Sequence, residues 1–134
     1  MIIFIDTNIL ISSLLNIDSP TFEVILKASN DPFFCVTSDY CLEELHKVKT
    51  RKFAKHIDLM NKHLSMVLRM VNVVHTTSTS YESELLVRDI SDRLVLRAAI
   101  QIGAEVLVTG DKDLLELTIT KPKIITPREF LDNY

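Results

Sequence analysis

The sequence contains no tryptophan and only two glycines, four prolines and two cysteines among its 134 residues. So little glycine and proline excludes collagen-like and linker-rich chains and argues against disorder. A phosphate-cradling loop would also need more glycines than this chain has. Gly110 is therefore expected to serve a turn, in a backbone conformation closed to other residues. Cys35 and Cys41 are too few for a disulfide scaffold, and their spacing matches no CxxC redox or zinc pattern. Both are expected as small buried hydrophobes. His46, His56, His63 and His75 show no ligand spacing with cysteine or with one another and are expected at the surface. Long apolar runs are missing as well. Met1–Ile5 is apolar, but Asp6 ends the run far short of a signal-peptide core. No stretch approaches the length of a membrane span, so a reduced cytoplasmic setting away from membranes is expected. Neither sign of charge dominates: the net charge is -3, which taken alone speaks against a nucleic-acid partner.

What is present is the balance of an ordinary globular protein, 47% hydrophobic and 25% charged, at a length that predicts one domain over residues 1–134. Ile2–Ile5 is β-branched and aromatic without alternation, which suits a central parallel strand buried on both faces. An apolar helical segment follows through Leu15. Ser19-Pro20 predicts an N-cap and first position for a helix to about Ala28. Phe33–Thr37 is a second strand, and Ser38 can cap the helix that starts near Tyr40. Met60, Leu64, Val67, Leu68 and Val71 share one helical face. Val71–His75 is a third strand and Thr76–Ser80 a polar loop. Ser91 can cap a helix that Gly103 stops. Val106–Val108 is a fourth strand before a short helix near Leu114–Leu117. Lys123–Thr126 is a fifth, and Pro127 opens a last helix. Strand alternating with helix predicts a three-layer α/β/α sandwich around a mostly parallel sheet of about five strands. Such sheets bind ligands outside the carboxyl ends of their strands.

Acids gather at those ends. Asp6-Thr7-Asn8 follows the first strand, Thr109-Gly110-Asp111-Lys112-Asp113 follows the fourth, Glu43-Glu44 lies on the helix after the second, and Asp89-Ile90-Ser91-Asp92 opens the helix after the polar loop. Buried carboxylates are costly unless neutralised, and several converging on one crevice would raise one another's pKa or need a divalent cation. Oxygen donors without Cys or His favour Mg²⁺ or Mn²⁺ over zinc. No Ser/His/Asp or Cys/His arrangement is legible, which argues against covalent catalysis. A phospho-acceptor signalling domain also carries acids at strand ends, but the second acid pair at Asp111 and Asp113 does not fit its pattern. Read alone, Asp6 could be a helix N-cap, Asp89 a turn or cap residue, Asp113 a first-turn charge and Glu43 a surface residue.

Phe4-Ile5-Asp6-Thr7-Asn8-Ile9-Leu10, Ser38 with Glu43-Glu44-Leu45, Arg88–Leu96 followed by Ala98-Ala99, and Val108–Leu115 resemble, in order, the four acidic motifs of PIN-domain ribonucleases. The ending Ile125–Leu131 is similar to members that are toxins of toxin–antitoxin pairs. The resemblance implies a parallel sheet with an acidic pocket, hydrolysis of RNA phosphodiesters, and one or two Mg²⁺ or Mn²⁺ ions. Carried over residue by residue, the four acids are Asp6, Glu44, Asp92 and Asp111, with Asp113, Asn8 and Thr109 as auxiliaries. Metal held by carboxylates lowers the pKa of bound water and offsets the charge that grows in an in-line attack. The resemblance further implies an RNA substrate, an antitoxin protein and a homodimer. Its alternative is a catalytically weak PIN-like module that binds RNA or protein.

The charge is unevenly spread. Residues 46–69 carry seven cations, Lys47, Lys49, Arg51, Lys52, Lys55, Lys62 and Arg69, against the single acid Asp58, a balance of +6 that leaves -9 elsewhere. This stretch reads either as a solvated helical face or as an RNA-backbone contact through Lys47, Lys49, Arg51, Lys52 and Lys55.

Overall fold

The computed structural model describes residues 1–134. In chain order the elements are β1 (Ile2–Ile5), α1 (Thr7–Leu15), α2 (Pro20–Ala28), β2 (Phe34–Ser38), α3 (Asp39–Lys52), α4 (Ile57–Met70), β3 (Asn72–Val74), α5 (Ile90–Gln101), β4 (Val106–Val108), α6 (Lys112–Leu115), β5 (Lys123–Ile125) and α7 (Pro127–Asn133). Short 3₁₀ turns occupy Ala54–His56 and Glu82–Leu86. The five strands form one sheet in the order β3-β2-β1-β4-β5, and every neighbouring pair is parallel. β1 is the central strand, with Phe4 beside Val36 of β2 and Leu107 of β4. Its last three residues are fully buried, as the absence of alternation predicts for a strand covered on both faces.

The chain winds from β1 through β2 to β3 on one side, then returns to build β4 and β5 on the other. α1 packs against α2, α3 and α4. The right-handed rule for parallel crossovers assigns those four helices to one face of the sheet and α5 and α6 to the other. The winding direction reverses between β1 and β4, which opens a crevice beyond their carboxyl ends. One apolar core of 30 buried residues runs through both layers, Cys35 and Cys41 among them. No single helix is long and apolar enough to cross a membrane.

Local chemistry explains most element ends. Ser19 Oγ accepts from the amide of Phe22 with Pro20 at the first turn, and Ser38 Oγ accepts from that of Cys41. Thr126 and Glu129 cap α7 reciprocally. Four expectations need correction. Ser91 does not cap α5: Asp89 does, its carboxylate accepting from the Ser91 amide. Leu68 is exposed, and the inner face of α4 is Met60, His63, Leu64 and Val67. His63 is thus buried rather than superficial. Its Nδ1 donates to the carbonyl of Leu14 at 2.6 Å, one of the carbonyls that the end of α1 leaves without an intrahelical partner. Finally, the left-handed glycine is Gly103, at φ 69°, not Gly110. Gly110 is instead tied to Asn8, its amide donating to the side-chain oxygen at 3.1 Å, and a Cβ added there would make only an ordinary contact with that oxygen.

Candidate active site

Two strand ends and two helices deliver the acids to the crevice. Asp6 follows β1 directly and is also the N-cap of α1, its Oδ1 accepting from the Thr7 amide at 2.6 Å. Its other oxygen, Oδ2, accepts from Thr109 Oγ1 at 2.6 Å and from Asn8 Nδ2 at 3.4 Å. Asp6 is 3% exposed, and burial pushes its carboxyl up to about 6 despite those donors. Asp111 lies three residues beyond the end of β4 and is likewise a helix N-cap, that of α6, accepting from the Asp113 amide at 2.8 Å.

Thr109 joins the two strand ends. Its hydroxyl donates to Asp6 and accepts from the Asp111 amide at 3.0 Å. Asn8 makes a second tie, its Oδ1 accepting from the Gly110 amide at 3.1 Å. Both residues therefore hold acids and loop in place within the structure.

The helices complete the cleft. Glu44 of α3 and Asp92 of α5 line it with Asp6 and Asp111, around a volume of about 200 Å³. Glu44 is half-buried and faces this space, whereas Glu43 is exposed outside it. Asp92 stands in the first turn of α5, while Asp89 is spent as that helix's cap. Burial, and next the negative charge of Asp111, push the Asp92 carboxyl up to about 7. Sequence reasoning missed three other polar lining side chains, Thr7, Tyr40 and Ser91. Burial, with Glu44 and Asp92 nearby, also raises the Tyr40 phenol. Arg88 was missed too; it reaches across to Asp113 at 3.0 Å. No spacing signal could have singled these out, because hydroxyls and one arginine become site residues only by proximity.

The donor set fits a hard cation. Oxygens of Asp92, Asp111 and Asp113 all lie within 4.8 Å of one another. Asp92 Oδ2 is buried with no hydrogen-bond partner. An anionic oxygen shielded from water and lacking a donor is a cost that a cation removes. Asp6 and Glu44 lie outside this closest group but on the same cleft. The basic stretch is divided by the fold: Lys47, Arg51, Lys52 and Lys55 are exposed, but Lys49 is not. Lys49 is 7% exposed between α3 and α4, and its ammonium donates to Asn61 Oδ1 at 2.5 Å. Its expected contact with RNA is therefore withdrawn.

The family model for the PIN domain matches residues 2–113, a span that includes all four acids. The chain belongs to the PIN-domain family. Among solved structures, this PIN-domain fold is similar to one in the crystal structure of VapBC2 from Rickettsia felis bound to a DNA fragment from their promoter. The TM-score is 0.69 at 16% identity, covering 94% of this chain and 98% of that one. It is also similar to VapC20 of Mycobacterium tuberculosis, a sarcin–ricin loop cleaving toxin. There the TM-score is 0.54 at 20% identity, covering 87% of this chain and 96% of that one. At these identities the likeness is one of fold. No curated protein matches the sequence significantly.

Proposed function

We propose that this PIN-domain protein is a metal-dependent endoribonuclease and the toxin of a type II toxin–antitoxin pair. The observation that carries the reading is the convergence of Asp6, Glu44, Asp92 and Asp111, from four separate segments, on one cleft in which Asp92 Oδ2 has no partner. A binding module has no use for so many mutually repelling carboxylates held out of water. The family match supports nuclease chemistry, and the two structural relatives, a VapBC complex and an RNA-cleaving VapC, support the toxin assignment.

Asp92 and Asp111 are the proposed principal ligands of Mg²⁺ or Mn²⁺, with Asp113 beside them and Asp6 and Glu44 reached directly or through water. Bound metal would activate water and offset the charge that develops on the phosphodiester oxygens. The chain's own groups set the geometry. Thr109 fixes the distance between Asp6 and Asp111, Asn8 holds the Gly110 turn, and Arg88 restrains Asp113. Without metal, burial holds the carboxyls of Asp6 and Asp92 well above the usual carboxylate range, a tension that a bound cation would relieve.

The test is cleavage of RNA by purified protein with Mg²⁺ or Mn²⁺, with EDTA, and with Asp92→Asn. Cleavage that EDTA stops and that Asp92→Asn lowers by about a hundredfold or more is expected. Cleavage that persists in EDTA overturns the metal assignment, and no cleavage of any RNA overturns the nuclease. The toxin reading brings with it an antitoxin partner and a homodimer. Leu85, Leu86 and Ile90, apolar and exposed beside the start of α5, support a protein partner there. Co-expression with the neighbouring reading frame and light scattering check the two assemblies.

A further inference from the structure

The acidic cleft repels the polyanion it is proposed to cut, so attraction has to come from elsewhere on the surface. α3 carries both signs of charge. Glu44 lines the cleft, and the residues one and two turns further along the same side of the helix are Lys47 and Arg51. Seven residues of helix separate Glu44 from Arg51, roughly 10 Å along the axis. Lys47 and Arg51 are exposed, and neither forms an ion pair with any acid of the chain. With His46 and Thr50 they form a shallow, open patch on α3 that contains no hydrophobic side chain. The buried side of α3 is the one bearing Leu45 and Lys49, which is why Lys49 is lost to the interior while its neighbours are not.

We propose that this face of α3, formed by Lys47 and Arg51 with His46 and Thr50, holds the phosphates of the RNA strand that flanks the scissile bond. The proposal rests on the ribonuclease reading and adds where the strand lies and which way it leaves the cleft. Guanidinium and ammonium groups recognise phosphate oxygens without reading bases, so the track orients substrate but does not select sequence. Cations near a helix C-terminus also stabilise the helix through its dipole, so binding and stability have to be read separately.

The experiment measures binding of a fluorescent single-stranded RNA by anisotropy, in EDTA so that nothing is cut, across a series of salt concentrations. Three proteins are compared: the parent, Lys47→Ala/Arg51→Ala, and a control pair on α4, Lys62→Ala/Arg69→Ala, with circular dichroism and Tm recorded for each. The α3 pair is expected to weaken binding about tenfold and to reduce the slope of log K against log salt by about 1 to 1.5, the release of two phosphate contacts. The control pair is expected to leave both unchanged. Equal affinity and slope in the α3 variant overturn the track, even if its Tm falls, and so does an equal loss in the control pair. Competition by polyglutamate as strong as by RNA of equal charge assigns the face to an acidic protein and also overturns it. Cleavage with metal separates this idea from the one beneath it. A parent that never cuts RNA while the α3 pair still loses binding refutes the nuclease and leaves the track. A parent that cuts while the α3 variant retains an unchanged KM on long RNA refutes the track alone.

Discussion

At the scale of single residues, the informative groups are carboxylates whose charge is held against its own preference. Asp6 has its pKa raised to about 6 and Asp92 to about 7, so for both the neutral form is favoured by folding. Their contribution to stability is complete below the ordinary carboxylate value and is lost as pH rises through 6 and 7. Asp39 and Glu84 run the other way. Hydrogen bonds from Thr76 and Arg97 outweigh burial and lower their values, so what they contribute is lost only on strong acidification. Metal-free protein is therefore expected to melt at higher temperature at pH 5 than at pH 8, and to lose stability again near pH 3, in thermal scans with EDTA. Asp6→Asn removes part of the rise between pH 8 and pH 5 and stabilises the metal-free protein at pH 8, on the order of 1 to 3 kcal/mol. A flat profile from pH 8 to pH 5 contradicts this picture of the cleft. These tensions were legible in outline from the residue types. Which of Glu43 or Glu44, and of Asp89 or Asp92, enters the cleft depended on helix phase and capping, which motif spacing describes only loosely.

At the scale of elements, caps and tethers aim the acids. Ser38 ends β2, is fully buried, and accepts the amide of Cys41 at the start of α3. Ser38→Ala is expected to cost about 1 to 2 kcal/mol, measured by denaturant unfolding, because a buried amide loses its acceptor. Because α3 also carries Glu44, the same variant should lower cleavage more than its loss of stability alone explains. Thr109→Val keeps the shape but removes the hydroxyl that joins Asp6 to Asp111. It is expected to weaken Mn²⁺ binding by about tenfold or more in calorimetric titration, with a smaller effect on Tm. Strand and helix identities were readable because central strands lack alternation and the helices carry recognisable caps. His63 and Lys49 were misplaced for one shared reason: a helix packed on two neighbours buries a wider arc than one apolar stripe predicts, whereas Leu68 lies outside the buried face of α4. A polar residue within that arc is kept by a hydrogen bond, to Leu14 for His63 and to Asn61 for Lys49.

For the molecule as a whole, the winding reversal between β1 and β4 gathers the acids into one cleft, and the cost of that gathering is spread over the fold. Mg²⁺ or Mn²⁺ should therefore act as a structural ligand as well as a catalytic one. Saturating Mn²⁺ at a hundred times its Kd is expected to raise stability at pH 7.5 by about 3 kcal/mol, read as a shift in Tm that EDTA reverses. The variant Asp92→Asn should show a much smaller shift, and an equal shift in both proteins would place the ion elsewhere. The net charge of -3 likewise makes sense only when divided, into carboxylates gathered in the cleft and a basic face on α3 left open to solvent.

Sequence alone determined the alternation of strand and helix, the parallel sheet and the identity of the acids as a set, because burial pattern, capping chemistry and residue type are local properties. The tertiary structure decided which carboxylates meet, that Thr109 and Asn8 bind strand ends to each other, and that Lys49 turns inward while Lys47 and Arg51 stay out. Those outcomes depend on distances between segments up to a hundred residues apart in the chain, which are set by how helices pack on the sheet and not by any residue's own preference.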